Sequence, residues 1–581
     1  MPNGTCTTTT QIIVIRRMDT AMRNNSRASM LTKFVTAIYF LSALGVTITL
    51  PNSPAVAATP VDNAGNCSAA KDIGTLTNLV AFKDFVGSFD SEDCYKFTMS
   101  VSTPASVFLN GLSAGTQMQL LDSHKTVLQM STNQGTTWSS STQSGTTGGS
   151  ITKKLDAGTY YVRVSSTTVA GNPLYKSRDG SYALNLIPHN APKTLIVAAN
   201  NTASITGTTV PTHYTATGTK DQDIINQAIK YVGQSGGGTV LLLEGTYNIS
   251  DNVYIPYDNV TLSGVGWRTK LRRTNNTVLE DAGMLRSAFH TSAENRRVPY
   301  FSNQRFMHMD LDGNKANQTS TKDAYGNYGT YKDSSFENVR VHDFGAYGMD
   351  PHENVDAGVP TVGLTIKDSL VDHNGKDGIT IDNCFDSTFV DNVTDSNTRH
   401  GFNIVTASQN NTYMGNVVTN NGSNGITLQP GGVDLTRTPI SNKLIGNIVK
   451  FNQADGIYIY RSVNTEVTDN IVASNAKYGI RNRASTHSLI TDNTVDDNGQ
   501  LEPDTYPAIY LHGDTFVFST NNRVQNNFVR ASTPDRYKWA IAEGEARDDY
   551  NTFDSNTIQG VNKPFRLQGA NSTNTNTQVI P

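Results

Sequence analysis

The feature that most constrains the fold is an internal repeat in the second half of the chain. Six marker glycines align, and their separations are 30, 23, 24, 31 and 23 residues. The two longer steps contain insertions, at 355–361 and 431–439. A period near 23 residues, with one short apolar strand and Asn-rich turns in each repeat, predicts the coils of a right-handed parallel β-helix. The marker glycines are Gly348, Gly378, Gly401, Gly425, Gly456 and Gly479.

The repeat also predicts which side chains face the core, because side chains along a strand alternate between its two faces. Residues one and three positions after each marker are almost all apolar, so we expect them to point inward. Residues two and four positions after each marker are mostly polar or aromatic, so we expect them to point outward. Parallel strands about 4.8 Å apart would make this outward face a platform for a long polymer. The candidate substrate-binding residues on or beside it are Asp382, His400, Asn403, Gln429, Tyr458, Tyr460 and Arg461.

Asparagine recurs in two further columns of the repeat. One column stands four residues before the markers and includes Asn374, Asn397 and Asn421, and the other includes Asn392 and Asn416. We interpret both columns as structural, with amides stacked from coil to coil and left-handed turns beside them.

Composition excludes several classes of protein. Charged residues make up 17% of the 581 residues, and the net charge is −4. There is therefore no basic field that would favour nucleic acid. Abundant Asn, Thr, Ser and Gly also argue against a helical bundle, which needs Ala, Glu, Lys and Leu in bulk. A β-rich extracellular protein fits this composition.

Residues 1–57 are predicted to be a leader with a secretory signal. An apolar run from Phe34 to Leu50 follows a basic segment and precedes the small residues Ala55 to Ala58, with cleavage expected after Ala57. A single membrane anchor is the alternative, but the run is short for spanning a bilayer. We therefore expect a secreted or periplasmic protein, monomeric and free of the membrane after cleavage.

Residues 66–188 contain short, closely spaced strands that predict a β-sandwich. Cys67 and Cys94 flank its first strands, and an exported chain can keep a disulfide there. The segments Asp93–Phe97, Leu120–Asp122 and Leu155–Val164 resemble the bacterial pre-peptidase C-terminal domain. That resemblance implies an accessory domain, followed by a β-helix domain over residues 195–581.

The densest group of reactive side chains is the segment Tyr347–Glu353. Asp350 and His352 share the predicted outward face, whereas Tyr347 can join them only if the chain turns near Gly348. Arg399 lies two coils further on, about 10 Å away by strand spacing. An acid, an imidazole, a phenol and a guanidinium that converge on one face are typical of an active site.

These motifs resemble the catalytic module of mannuronan C5-epimerases, which are right-handed β-helix enzymes that act on alginate. The similar segments are Tyr347–Glu353, Asn374–Gly378 and Arg399–Thr406. The resemblance implies that Tyr347, Asp350, His352 and Arg399 are the active-site residues. It also implies that Lys322, with Asp323, supplies the family's active-site lysine. The insertion after Glu353 departs from the family pattern.

Epimerisation of a uronate at C5 requires a partner for the carboxylate, a base and an acid. Arg399 suits the carboxylate, assisted by Lys322 or a protonated Asp350. His352 and Tyr347 form the proton-transfer pair, and we favour His352 as the base. No cofactor is required, and Ca²⁺ is a candidate ion because alginate gels with it.

Two other functions stay open. The same carbanion can expel the C4 oxygen, which is the β-elimination of an alginate or polyuronate lyase. A non-catalytic polysaccharide-binding β-helix is the third class. Hydrolysis is disfavoured, because Asp350 and Asp382 make no well-matched acidic pair.

Overall fold

The structure is a computed structural model. It describes residues 66–78, 80–86, 91–110, 116–132, 150–166, 180–189, 193–203, 212–279, 283–287, 299–319, 324–432 and 434–580. The predicted leader, Lys322 and Asp323 lie outside these residues. Within them the chain is nearly all β, with an N-terminal sandwich and a parallel β-helix, as the sequence predicts.

The sandwich consists of a five-stranded and a four-stranded sheet. Alternating residues such as Tyr95, Phe97, Val162 and Val164 fill the core between them. Cys67 and Cys94 form a disulfide with a Cα–Cα distance of 4.9 Å. The strands, in chain order, are Lys71–Thr75, Val80–Val86, Glu92–Met99, Thr103–Asn110, Thr116–Leu121, Val127–Thr132, Ser150–Leu155, Gly158–Ser166 and Gly180–Pro188.

Helix α1, Asp221–Gln234, covers the first coils of the β-helix. Ile225, Ala228 and Ile229 are buried, in agreement with the apolar spacing that predicts an amphipathic helix here. Later in the described part of the chain, residues Lys315–Asn317 form a 3₁₀ turn.

We call the twelve-stranded parallel sheet the site sheet, because it carries the predicted active-site residues. Its register pairs Met349 with Ile379, and Ile379 with Phe402, as the glycine alignment predicts. Its strands are Val253–Tyr254, Gly283–Arg286, Tyr325–Gly329, Met349–Pro351, Ile379–Asp382, Phe402–Val405, Ile426–Leu428, Ile457–Tyr460, Ile480–Arg483, Ile509–His512, Ile541–Glu543 and Phe565–Arg566.

A 26-stranded sheet forms the remaining faces of the β-helix, together with a four-stranded sheet. The strands of the four-stranded sheet are Phe301–Ser302, Tyr331–Lys332, Thr361–Val362 and Cys384–Phe385. Those of the 26-stranded sheet are Thr194–Ala198, Tyr214–Thr215, Gly238–Leu242, Gly245–Ile249, Val260–Ser263, Thr269–Arg273, Arg305–Asp312, Ser335–His342, Thr365–Lys367, Leu370–Asp372, Thr388–Val390, Val393–Asp395, Thr412–Met414, Val417–Thr419, Lys443–Ile445, Ile448–Lys450, Glu466–Thr468, Ile471–Ala473, Leu489–Thr491, Thr494–Asp496, Arg523–Gln525, Phe528–Arg530, Thr552–Asp554, Thr557–Gln559, Thr573–Thr575 and Gln578–Ile580.

The marker glycines are required by close packing between coils. A Cβ atom on Gly348 would lie 2.7 Å from both the Asn374 side-chain nitrogen and the Gly378 carbonyl oxygen. Backbone atoms cannot yield to such a contact, so any larger residue here would force the coils apart.

The asparagine columns are hydrogen-bonded ladders, as predicted. Asn397 donates its side-chain N–H to Asn421 Oδ1 at 3.1 Å, and Asn421 donates to Asn452 Oδ1 at 3.0 Å. The left-handed residue is the one before the ladder position, for example Ser396 and Asn420. The turn and the ladder therefore use neighbouring residues rather than the same one.

Candidate active site

Asp350 and His352 lie on the outward face of the strand Met349–Pro351, while Met349 packs into the core. His352 Nδ1 lies 2.8 Å from the carbonyl oxygen of Glu353. His352 Nε2 lies 3.2 Å from a carboxylate oxygen of Asp382 on the next coil. Both ring nitrogens face acceptors, so both must carry a proton to satisfy these contacts. The geometry therefore describes an imidazolium.

Charges around His352 give the same result. Burial by itself lowers the pKa of His352, but the hydrogen bond that its ring donates to Asp382, together with the charge of Asp382, outweighs burial and raises the pKa well above its usual value. His352 is accordingly a cation at neutral pH.

Asp350 is a buried acid. It is only 4% exposed, although it lies on the outward face, and its Oδ1 has no hydrogen-bond partner. Burial raises the pKa of Asp350 to about 8, and the nearby charges of His352 and Asp382 act in opposite directions. Asp350 is thus a neutral carboxylic acid at pH 7, which can donate a hydrogen bond.

This pKa makes the stability of the protein depend on pH. Between pH 4 and 8 the unfolded chain releases the Asp350 proton and the folded chain keeps it, so stability falls as pH rises, by about 1.4 kcal/mol per unit. Asp350→Asn removes this dependence. We expect urea unfolding to show that the variant gains stability relative to the wild type between pH 5 and pH 8. An unchanged difference across that range would contradict a raised Asp350 pKa.

Arg399 and Asp377 form the second part of the site. Arg399 donates Nε–H to Asp377 Oδ1 at 2.6 Å and an Nη2–H to Asp377 Oδ2, which makes a bidentate pair. The Asp377 side chain is fully buried and also accepts hydrogen bonds from Thr380, Asn403 and the backbone N–H of His400. Burial raises the pKa of Asp377, but these donors outweigh it and the pKa is lowered. Asp377 therefore holds the guanidinium in place as a carboxylate.

Tyr347 contacts the Arg399 part of the site. It lies before the strand Met349–Pro351, where the chain bends, so its side chain is not bound by the alternation of that strand. Arg399 Nη2 lies 3.4 Å from its hydroxyl oxygen. Its ring stacks on Tyr325 with a centroid distance of 5.1 Å. The Lys376 ammonium lies 5.2 Å from the ring centroid. Burial raises the pKa of Tyr347, while Arg399 and Lys376 oppose that effect.

The other predicted substrate-binding residues fall into two groups. Asn403 donates to Asp377 and accepts from Gln429 at 3.0 Å, so these residues support the Arg399 pair. His400 lies close to Thr427, and burial lowers its pKa. The remaining three lie further along the site sheet, where Tyr460 and Arg461 contact Asp514 and Tyr458 stacks on Tyr460.

Sequence reasoning assigned no role to Asp377, Lys376 or Tyr328. Asp377 precedes a marker glycine, which places it beside the site sheet, and this position was the signal available in the sequence. Tyr328 packs edge-on against His352 with a centroid distance of 5.4 Å, but it precedes the aligned repeats. Its coil therefore could not be registered with the others.

The second insertion of the repeat reaches the residue next to His352. Arg437, in the second insertion, donates to both carboxylate oxygens of Glu353 at 2.8 and 2.7 Å. Asn383 donates to the same carboxylate at 2.6 Å. Because the Glu353 carbonyl and Asp382 are the acceptors for the His352 ring, this bridge fixes the backbone on both sides of the imidazole.

Among the described residues, one cluster has donor atoms spaced closely enough to hold a metal ion. It consists of Asp312, His342 and Asp343. One of its three ligands is an imidazole nitrogen, which does not suit Ca²⁺ because that ion prefers oxygen ligands. His342 bridges Asp310 and Asp343 at 2.9 and 2.7 Å. Burial lowers the pKa of His342, but the two acids raise it to about 9. The cluster is an ion-pair network around an imidazolium.

The fold and the site together define the class of protein: a parallel β-helix that carries a partly buried cluster of acid, imidazole, phenol and guanidinium groups. Two family models match parts of the chain. The bacterial pre-peptidase C-terminal domain matches residues 91–166 of the sandwich. A model described as a periplasmic copper-binding protein (NosD) matches residues 362–510 and 430–560.

The chain resembles mannuronan C5-epimerases of Azotobacter vinelandii. It is 34% identical to AlgE3 over 373 residues, which are 61% of this chain and 19% of AlgE3. It is 34% identical to AlgE6 over 382 residues, which are 62% of this chain and 42% of AlgE6. The chain therefore spans less than half the length of these relatives. Alginate lyase 7 of the same organism is 32% identical over 203 residues, 33% of this chain and 22% of the lyase.

Solved structures give the same result. The A-module of AlgE6 superimposes with a TM-score of 0.57 and 28% identity, covering 63% of this chain and 97% of the module. The A-module of AlgE4 gives a TM-score of 0.56 and 29% identity, covering 62% of this chain and 97% of the module. Among the described residues, no helix combines the length and apolar character needed to cross a membrane.

Proposed function

We propose that the protein is a secreted, monomeric mannuronan C5-epimerase, which converts β-D-mannuronate to α-L-guluronate within alginate. The observation that carries this proposal is the arrangement around Asp350. The Arg399–Asp377 pair, which contacts Tyr347, and the His352–Asp382 pair both lie close enough to Asp350 for Asp377, His352 and Asp382 to shift its pKa. Similarity to the epimerases named above supports the choice of substrate.

Arg399 and Asp350 bind the substrate carboxylate in this proposal. The guanidinium is 42% exposed and keeps its second edge toward Tyr347, so it can pair with an incoming anion. A neutral Asp350 adds a hydrogen bond without repelling the carboxylate. Together they stabilise the enolate-like charge that develops when C5 loses its proton.

Tyr347 is the base and His352 the acid, which reverses the assignment favoured from the sequence. The Tyr347 oxygen accepts from Arg399, and Lys376 lies over the Tyr347 ring. Both cations favour the phenolate and oppose the burial that raises the pKa of Tyr347. Tyr347 takes the C5 proton, and the electron pair delocalises into the carboxylate. His352, with protons on both nitrogens, then gives a proton to the opposite face of C5. Exchange with solvent restores both groups.

Deuterium exchange tests this assignment. In D₂O, His352→Gln is expected to place deuterium at C5 of mannuronate without forming guluronate, because the base still works and the acid is missing. Tyr347→Phe is expected to incorporate no deuterium. Proton NMR and mass spectrometry of treated polymannuronate measure both. The opposite pattern would assign the base to His352.

Lyase activity is the second candidate, supported by the partial similarity to Alginate lyase 7. An epimerase raises the guluronate fraction without chain cleavage, whereas a lyase produces unsaturated ends that absorb ultraviolet light. Binding without any product, unchanged by His352→Ala, would instead indicate a non-catalytic polysaccharide-binding protein.

A further inference from the structure

A second cluster of cations and aromatic rings lies along the site sheet. The strand Ile480–Arg483 directs Arg481 and Arg483 outward, while Ile480 and Asn482 are fully buried. This strand is five steps from Met349–Pro351 in the sheet order, or about 24 Å at 4.8 Å per step. The distal cluster consists of Asp455, Tyr458, Tyr478, Arg481, Arg483, Tyr510 and His512.

The distal cluster repeats the construction around Arg399. In both places a buried Asp precedes a marker glycine and pairs with an Arg, as Asp377 does with Arg399 and Asp455 with Arg481 at 3.6 Å. The Arg481 guanidinium lies 4.9 Å from the ring centroid of Tyr478, as Arg399 lies 5.4 Å from that of Tyr347.

Each of those tyrosines also precedes a marker glycine and stacks on a tyrosine of an adjacent coil. Tyr478 and Tyr510 are 5.5 Å apart with an interplanar angle of 5°, and Tyr347 and Tyr325 are 5.1 Å apart with an angle of 7°. The distal cluster thus holds Arg481 beside a pair of stacked tyrosine rings, as the site holds Arg399.

Among its described residues, the distal cluster has no counterpart of the neutral Asp350 or of the His352 imidazolium. His512 stands at the column position of His352, but its Nε2 accepts a hydrogen bond from Arg481 Nε at 2.9 Å. Burial and the neighbouring arginines lower the pKa of His512 to about 3, so it is neutral and its lone pair is occupied. The column position of Asp350 is taken by Arg481 and, one coil later, by Tyr510.

The distal cluster has spare capacity for an anion. Arg483 Nε is buried without a hydrogen-bond partner, and its Nη1 lies 3.5 Å from the Tyr458 hydroxyl. With the adjacent Arg461 and its partner Asp514, three guanidinium groups face two carboxylates. The local charge is therefore positive on a protein whose net charge is −4.

We propose that the distal cluster is a second uronate-binding site, in which Arg481 and Arg483 bind a carboxylate of the same polymer chain several sugar units away from the reaction centre. The aromatic frame supplies ring faces for stacking on sugars. This inference rests on the proposed function, because it needs one polyuronate chain to lie along the site sheet. Its chemical consequence is selectivity for long substrates.

The test compares two substrate lengths. Arg481→Gln is expected to lower kcat/KM on polymannuronate about tenfold, the effect of one lost charge-assisted contact. On an oligomannuronate too short to span from His352 to Arg481, the expected change is less than twofold. The matched control is Arg523→Gln, an exposed arginine on the 26-stranded sheet, which should leave both values unchanged. Thermal unfolding checks that both variants are folded.

An equal loss on both substrate lengths, or no loss on the polymer, would overturn the second site. Equilibrium binding of polymannuronate, compared with an uncharged glucan, separates this outcome from failure of the proposed function. If the wild type forms no product but Arg481→Gln weakens polymannuronate binding about tenfold, the site stands and the catalytic proposal fails.

Discussion

Replacing Arg399 with glutamine is expected to lower kcat/KM for polymannuronate about 10³-fold, the scale seen when a preorganised donor to developing charge is removed. The guanidinium is the bidentate partner of Asp377 and also donates to the Tyr347 oxygen. Glutamine keeps neither the fork nor the positive charge. The substrate carboxylate and the phenolate would both lose their cation. NMR detection of guluronate formation gives the rate.

A matched control separates catalysis from folding. Arg340 makes the same bidentate contact with Asp372, at 3.1 and 2.9 Å, on the 26-stranded sheet. Arg340→Gln should cost stability and leave kcat/KM within about twofold of the wild type, because surface substitutions remote from a site rarely alter its geometry. Arg399→Gln should remain folded, since Thr380, Asn403 and the His400 N–H still bind Asp377. A loss below tenfold would remove Arg399 from the proposed mechanism.

The second large effect is on stability. Asn421→Leu is expected to lower the free energy of unfolding by about 3–5 kcal/mol, because several buried polar groups lose their partners. Asn421 Nδ2 donates to the Thr394 carbonyl and to Asn452, and its Oδ1 accepts from the backbone and side chain of Asn397. Leucine has a similar volume but can make none of these bonds.

Urea unfolding measures this loss. Asn562→Ala is the control, since Asn562 is exposed and its side chain reaches only as far as Asp535 on the surface. That substitution should change stability by less than about 0.5 kcal/mol. If Asn421→Leu lost no more stability than the control, the side-chain hydrogen bonds of the ladder would add nothing measurable to the free energy of unfolding.

The coil register was predictable because close packing between six consecutive coils favours glycine at their marker position. That register alone predicts that Asp350, His352 and Asp382 share one face of the sheet. Coils in which Ala508 and Ala540 occupy the marker position escaped the alignment, although they extend the site sheet.

Burial and protonation could not be predicted in the same way. The alternation of a strand says that Asp350 points outward, but not that neighbouring side chains cover it until it is 4% exposed. The protonation of His352 depends on Asp382, a residue 30 positions away that is brought close only by the next coil. The long-range contact of Glu353 with Arg437 depends on the path of the second insertion, which no periodicity describes.

The asparagine ladder has a direction. Every described rung from Asn374 to Asn475 donates its amide N–H to the oxygen of the rung that follows, and at Asn498 the backbone N–H turns to the Tyr537 hydroxyl instead. An additional coil that carried asparagine at this position could therefore enter between Asn421 and Asn452 with both of its neighbours satisfied. The length of the site sheet can therefore change one coil at a time without redesign of the core.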